Sequence, residues 1–76
     1  MTNKEFLAEI ENSQFRPVKT KGNQHLYFDG FRYCVCYANE EKQVFCLDIV
    51  KQFEYVSFTF ENLEEVRTFF RCLKPF

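Results

Sequence analysis

Between residues 53 and 60 the chain alternates, with Val56, Phe58 and Phe60 on one side and Tyr55, Ser57 and Thr59 on the other. A two-residue period is that of a half-buried strand. At Asn62 the period changes, and Leu63, Val66, Phe69, Phe70 and Leu73 fall on one helical face. A strand running straight into an amphipathic helix leaves two apolar surfaces that must be buried against the rest of the chain. That requirement organises the reading of everything before it.

The remaining chain offers the partners. Thr2 and Glu5 form a Thr-x-x-Glu capping box for a first helix, Met1 stands where a hydrophobic staple meets Phe6, and Phe6, Leu7 and Ile10 make its apolar stripe. That helix ends near Asn12, before Pro17. Residues 15–20 read as an edge or irregular strand, because Pro17 has no amide to donate. Lys21-Gly22-Asn23 is a turn, followed by strands over 24–28, 31–38 and 43–50. Asp29-Gly30 reads as a tight primed hairpin turn. Residues 39–42 form a polar turn, and Lys51-Gln52 leads into the last strand. The order is helix, a meander of four or five antiparallel strands, then helix. This predicts an α+β, two-layer domain spanning 1–76, with both helices on one face of the sheet (α-β-β-β-β-α). A chain this short buries only about 60–65% of its unfolded surface. Eleven Phe and four Tyr compensate, since each buried aromatic removes roughly 150–250 Å² from water.

The register implied by these turns pairs Ala38 with Gln43, Val50 with Phe53, and hence Phe45 with Phe58. One face then carries Cys34, Cys36, Phe45, Leu47, Ile49, Val56, Phe58 and Phe60, apolar throughout, and is assigned to the helices. The other carries Tyr33, Val35, Tyr37, Val44, Cys46, Asp48, Tyr55, Ser57 and Thr59. A slip of one residue would exchange the faces.

No residue set points to catalysis. His25, the single histidine, has no orienting group or oxyanion turn around it in the sequence. The carboxylates Glu40-Glu41 and Glu64-Glu65 belong to a turn and to a helix's first turn, where solvation and the helix dipole account for them. The two glycines, Gly22 and Gly30, are turn residues rather than a phosphate cradle. Cys34, Cys36, Cys46 and Cys72 lack paired Cys-x-x-Cys spacing, so reduced thiols are expected rather than zinc or disulfides. No cofactor and no metal is expected.

Net charge is −1 but uneven. Residues 16–32 set Arg16, Lys19, Lys21 and Arg32 against Asp29, whereas 39–65 set Lys42 and Lys51 against seven carboxylates. No apolar run approaches the ~18 residues of a membrane-spanning helix, and the first residues lack a signal peptide's basic-then-apolar order. A cytoplasmic chain that does not engage membranes is expected. Tyrosine is enriched at protein interfaces, so Tyr33, Val35, Tyr37 and Tyr55 are the expected contact surface of a non-enzymatic protein-binding module, an inhibitor or adaptor. A domain of this size resembles small inhibitors encoded by phages and mobile elements, including anti-CRISPR proteins; the likeness is one of class and maps no residue. Two alternatives stand beside it. A single-strand nucleic-acid binder would use Arg16, Lys19, Lys21, Tyr27 and Arg32, aromatics stacking on bases among the cations. A structural homodimer would use the second face or an unprotected edge strand.

Overall fold

The computed structural model describes residues 1–39, 41–51 and 54–73. Its elements are α1 (Asn3–Glu11), β1 (Arg16–Lys21), β2 (Gln24–Phe28), β3 (Tyr33–Asn39), β4 (Val44–Lys51), β5 (Glu54–Phe60) and α2 (Leu63–Cys72). The five strands form one antiparallel meander in the order β1-β2-β3-β4-β5, so the segment around Pro17 is a strand and lies at the sheet edge. Glu40 in the β3–β4 connection, and Gln52 and Phe53 in the β4–β5 connection, lie outside the described residues.

Local chemistry fixes the helix ends. Thr2 Oγ1 accepts from the Glu5 amide at 3.2 Å, and Glu5 Oε1 accepts from the Thr2 amide at 2.9 Å, the reciprocal capping box. Asn62 Oδ1 accepts from the Glu65 amide at 3.0 Å and starts α2 where the period of the sequence changes. Arg67 Nε donates to Glu9 Oε1 at 2.8 Å and ties the two helices together on their wet side.

Both helices lie on one side of the sheet. Phe6 and Ile10 of α1, Val66 of α2 and Phe15 between α1 and β1 are buried against Cys34, Cys36, Phe45, Leu47 and Phe60. The Phe6 ring meets Phe45 edge-on at 5.5 Å and Phe60 at 6.2 Å. Cys34 and Cys36 of β3, acting as small apolar side chains, are buried in the same cluster as Phe6, Ile10 and Phe15.

The face assignment from the alternation holds, but the three hairpin registers differ from those expected. Tyr33 pairs with Phe28, Phe45 with Ala38, and Tyr55 with Val50, so Phe58 lies opposite Leu47 and Phe60 opposite Phe45. In each hairpin the displacement is two residues in pairing sum, which preserves the face of every side chain. The Asp29-Gly30 turn accounts for the first difference. Asp29 Oδ1 accepts from the amides of Phe31 and Arg32, at 2.8 and 2.6 Å, and folds a four-residue loop in which Gly30 alone takes positive φ. A side chain that bonds its own backbone two residues on competes with the two-residue primed turn. In the β3–β4 connection, Asn39 Oδ1 accepts from the Lys42 amide and Gln43 adopts φ +54°, so β4 begins at Val44. No described helix is long and apolar enough to cross a membrane.

Candidate interaction surface

The face turned away from the helices is a grid set by strand register. One row runs Arg16, Phe28, Tyr33, Val50, Tyr55; the next Lys19, Leu26, Val35, Asp48, Ser57; the third Lys21, Gln24, Tyr37, Cys46, Thr59. The four residues expected to form a contact surface, Tyr33, Val35, Tyr37 and Tyr55, are therefore on this face together. Tyr55 is 65% exposed and Tyr33 is exposed, while Val35 and Tyr37 are half-buried between their neighbours. The rings of Phe28 and Tyr33 stack at 4.5 Å, which holds Tyr33 flat against the sheet.

Asp48 occupies the middle row of the grid, on β4. It is 7% exposed although no helix covers it. Its Oδ2 accepts from the Tyr55 hydroxyl at 2.9 Å, and its Oδ1 is buried with no hydrogen-bond partner among the described residues. Beside it, a hydrogen bond with Cys46 and then burial push the Tyr37 hydroxyl up to about 12, with the Asp48 carboxylate adding to the shift. Tyr37, Cys46, Asp48 and Tyr55 thus form a polar patch on a mixed surface that also carries Arg16, Lys19, Lys21, Gln24, Ser57 and Thr59. Asp48 was not among the expected site residues. The signal for it is a lone carboxylate at the middle of the apolar run from Val44 to Val50, where a strand on a plain wet face gains nothing from burying a charge.

The expected basic–aromatic cluster is not assembled as one surface. Tyr27 falls on the helix side, 3% exposed, with its hydroxyl donating to Glu11 Oε2 at 3.4 Å; burial and then the Glu11 charge push that hydroxyl well above its usual range. The reason is its register opposite Cys34, a core position. Arg32 is drawn inward to Asp29 at 2.8 Å, with its side chain 12% exposed and its guanidinium 5.8 Å over the Phe15 ring. Arg16 Nη1 donates to the carbonyls of Glu11, Ser13 and Phe15, at 3.2, 2.7 and 2.9 Å, and so closes the turn after α1. Lys19 and Lys21 stand exposed on the grid, as Arg16 does, beside a shallow hollow of about 210 Å³ lined by Leu26 and Val35. His25 bonds Thr20 through Nδ1 at 3.2 Å on the other face.

The cysteines are unbridged. Cys34 and Cys36 are buried with their sulfurs 3.4 Å apart, Cys46 is half-buried and Cys72 exposed. The described residues include no group of three or more His, Cys, Asp or Glu side chains arranged to hold a metal ion.

Fold and surface together define a two-layer α+β domain with one naked sheet face. No family model, curated protein or solved structure matches the chain.

Proposed function

We propose that this chain is a non-enzymatic protein-binding module that works by occupying a partner's surface, as an inhibitor or adaptor does, through the sheet face bearing Tyr33, Val35, Tyr37 and Tyr55. The observation that carries this reading is Asp48 Oδ1, a buried acceptor with no hydrogen-bond partner among the described residues, in the middle row of a face no helix covers. A buried polar atom left unpaired costs about 1–3 kcal/mol. On a face with no task, Ser or Thr would avoid that cost. A donor supplied by a docked protein, an arginine, lysine or backbone amide, would offset it, with the tyrosine rings excluding water around the bond. Tyrosines add large contact area at low side-chain entropy cost.

A second reading is supported by Lys19 and Lys21, which share the face with the stacked Phe28–Tyr33 pair, an arrangement that could accept single-stranded nucleic acid. It is the weaker one, because Asp48, in the same row as Lys19, would repel phosphate where the track reaches β4.

Affinity capture from the cells that make the chain, with quantitative mass spectrometry, tests both. A protein retained by wild type and by Lys19→Glu/Lys21→Glu, but lost with Tyr33→Ala/Tyr37→Ala, supports the first reading. Loss of all binding with the lysine pair alone, together with oligonucleotide affinity that falls steeply with salt, supports the second and sinks the first.

A further inference from the structure

The two edges of the sheet are built differently. β1 holds Pro17, a register shift between Pro17 and Lys19, and the charges of Arg16, Lys19 and Lys21. These are the devices by which an edge strand refuses another strand. Of these, β5 has a single charge, Glu54 at its first position. It pairs with β4 over Glu54–Phe60 without a register shift, and between Glu54 and Glu61 it holds no proline, glycine or charge. Tyr, Val, Phe and Thr there are strand formers.

The helix side of this edge is also incompletely covered. Phe69 of α2 meets Phe58 at 4.6 Å and Phe60 at 5.4 Å. Outside that contact lies an open groove of about 570 Å³ bordered by Phe58, Phe60, Thr68, Glu64 and Glu65. A second hollow of about 240 Å³ lies further along, lined by Ile49, Val56, Phe58 and Leu73 together with the charged Arg32, Lys51 and Glu54. Val56 is 46% exposed on the side that should be core. An unguarded edge beside an apolar groove is what strand addition requires, backbone pairing for affinity and pockets for alternate side chains.

We infer that β5 is an interface with a second copy of this chain, the two β5 strands pairing antiparallel about a two-fold axis at Ser57 to make one ten-stranded sheet. That register sets Val56 opposite Phe58 of the partner subunit on either side of the axis, an apolar centre on the groove side, with Glu54 opposite Phe60 of the partner subunit at each end. The charges favour the same occupant. Glu64 and Glu65 border the groove at the Phe60 end of β5, while Leu73 borders the hollow at the Val56 end, so α2 runs antiparallel to β5. α2 is acidic in its first turn, at Glu64 and Glu65, and basic in its last, at Arg71. The two-fold axis lays the two α2 helices antiparallel along the seam, acidic start toward basic end, which also opposes their dipoles. A seven-residue edge is about 23 Å long. With its groove it reaches the small end of specific interfaces, about 1,000 Å² in total, which corresponds to a reversible dimer. The groove lies on the opposite side of the sheet from the proposed partner-binding face, of which only Tyr55 belongs to β5.

Sedimentation equilibrium on the wild-type chain should give a monomer–dimer equilibrium at roughly micromolar to sub-millimolar concentration. Val56→Lys puts an inward-facing charge on the edge, and should weaken the dimer at least ~10-fold while leaving the circular dichroism of the monomer intact. Tyr33→Ala, on the other face, should leave the dimer unchanged. Hydrogen exchange on wild type provides a reading that needs no variant: β5 amides should gain protection as concentration rises. A chain that stays monomeric throughout overturns the inference. So does a dimer that Tyr33→Ala disrupts and Val56→Lys does not, or one whose β5 amides exchange at the same rate at every concentration.

Discussion

The Tyr55 hydroxyl donates to Asp48 Oδ2 at 2.9 Å on the diagonal of the β4–β5 pair, since Tyr55 sits opposite Val50 and Asp48 opposite Ser57. One exposed ring therefore serves two ends. It presents its face to whatever docks on the sheet, and its hydroxyl holds the one carboxylate buried beneath that face. An exposed tyrosine without such a partner could be deleted for about 0.5 kcal/mol. Tyr55 cannot.

Tyr55→Phe should destabilise the domain by about 1–3 kcal/mol, because Asp48 then has neither oxygen paired. Asp48→Val in the same chain should recover most of that loss, since replacing both partners by apolar groups is close to neutral. Urea denaturation of the two single variants and the double variant measures the coupling. Additive effects would mean that the bond contributes nothing to stability.

Removal of Phe45 should be far more damaging than removal of Phe58. Phe45 is fully buried under Phe6, whereas Phe58 is half-buried beside an open groove. Phe45→Ala should cost about 3–5 kcal/mol, which in a domain of this size leaves little folded protein. Phe58→Ala should cost about half as much, because its site already touches solvent and leaves less of a cavity. A thermal melt at low protein concentration distinguishes the two, and equal losses would count against the packing described here.

The alternation of β3, β4 and β5 and the helical spacing from Leu63 to Leu73 were enough to read the architecture and the buried face from sequence. Periodicity reports which side a residue faces, and every register difference in the structure is even, so the faces survived it. Exact partners were not legible. They depend on loop length, and Asp29 and Asn39 bond nearby amides and set loops that composition alone does not distinguish from tighter turns. The candidate site was legible in part. Tyr33, Tyr37 and Tyr55 follow from alternation, but the partners of Asp48 and the inward turn of Arg32 depend on contacts across strands and loops. Tyr27 was misread as an exposed aromatic because β2 is short and its face follows from pairing with β3, not from its own pattern.

The four thiols should differ sharply in reactivity. Cys72 is exposed at the end of α2 and should alkylate first, followed by the half-buried Cys46. Cys34 and Cys36 are buried, and the hydrogen bond with Cys34, then burial, raise the Cys36 thiol far above its usual range, which disfavours the reactive thiolate. Mass spectrometry during iodoacetamide labelling of the native chain should show two modifications well before the third and fourth. Labelling of Cys34 or Cys36 at the rate of Cys72 would contradict the burial of both in the core.

Asp29 should make stability fall in acid. Burial alone would raise its pKa, but the amides of Arg32 and Phe31 and the Arg32 guanidinium outweigh that and hold the carboxyl below the ordinary range. In the unfolded chain the group titrates near ~3.9. Above that value both states are ionised and the stabilisation is complete. As pH falls through it, the unfolded state takes up the proton first, so stability drops progressively until the native carboxyl is itself protonated. Asp29→Asn keeps an oxygen for the two loop amides and removes the titration and the charge pair with Arg32. The variant should be less stable than wild type at neutral pH, and the gap should close between about pH 5 and pH 2. Urea midpoints of both chains across that range measure it. A gap that stays constant with pH would show that the Asp29 carboxyl does not couple folding to protonation.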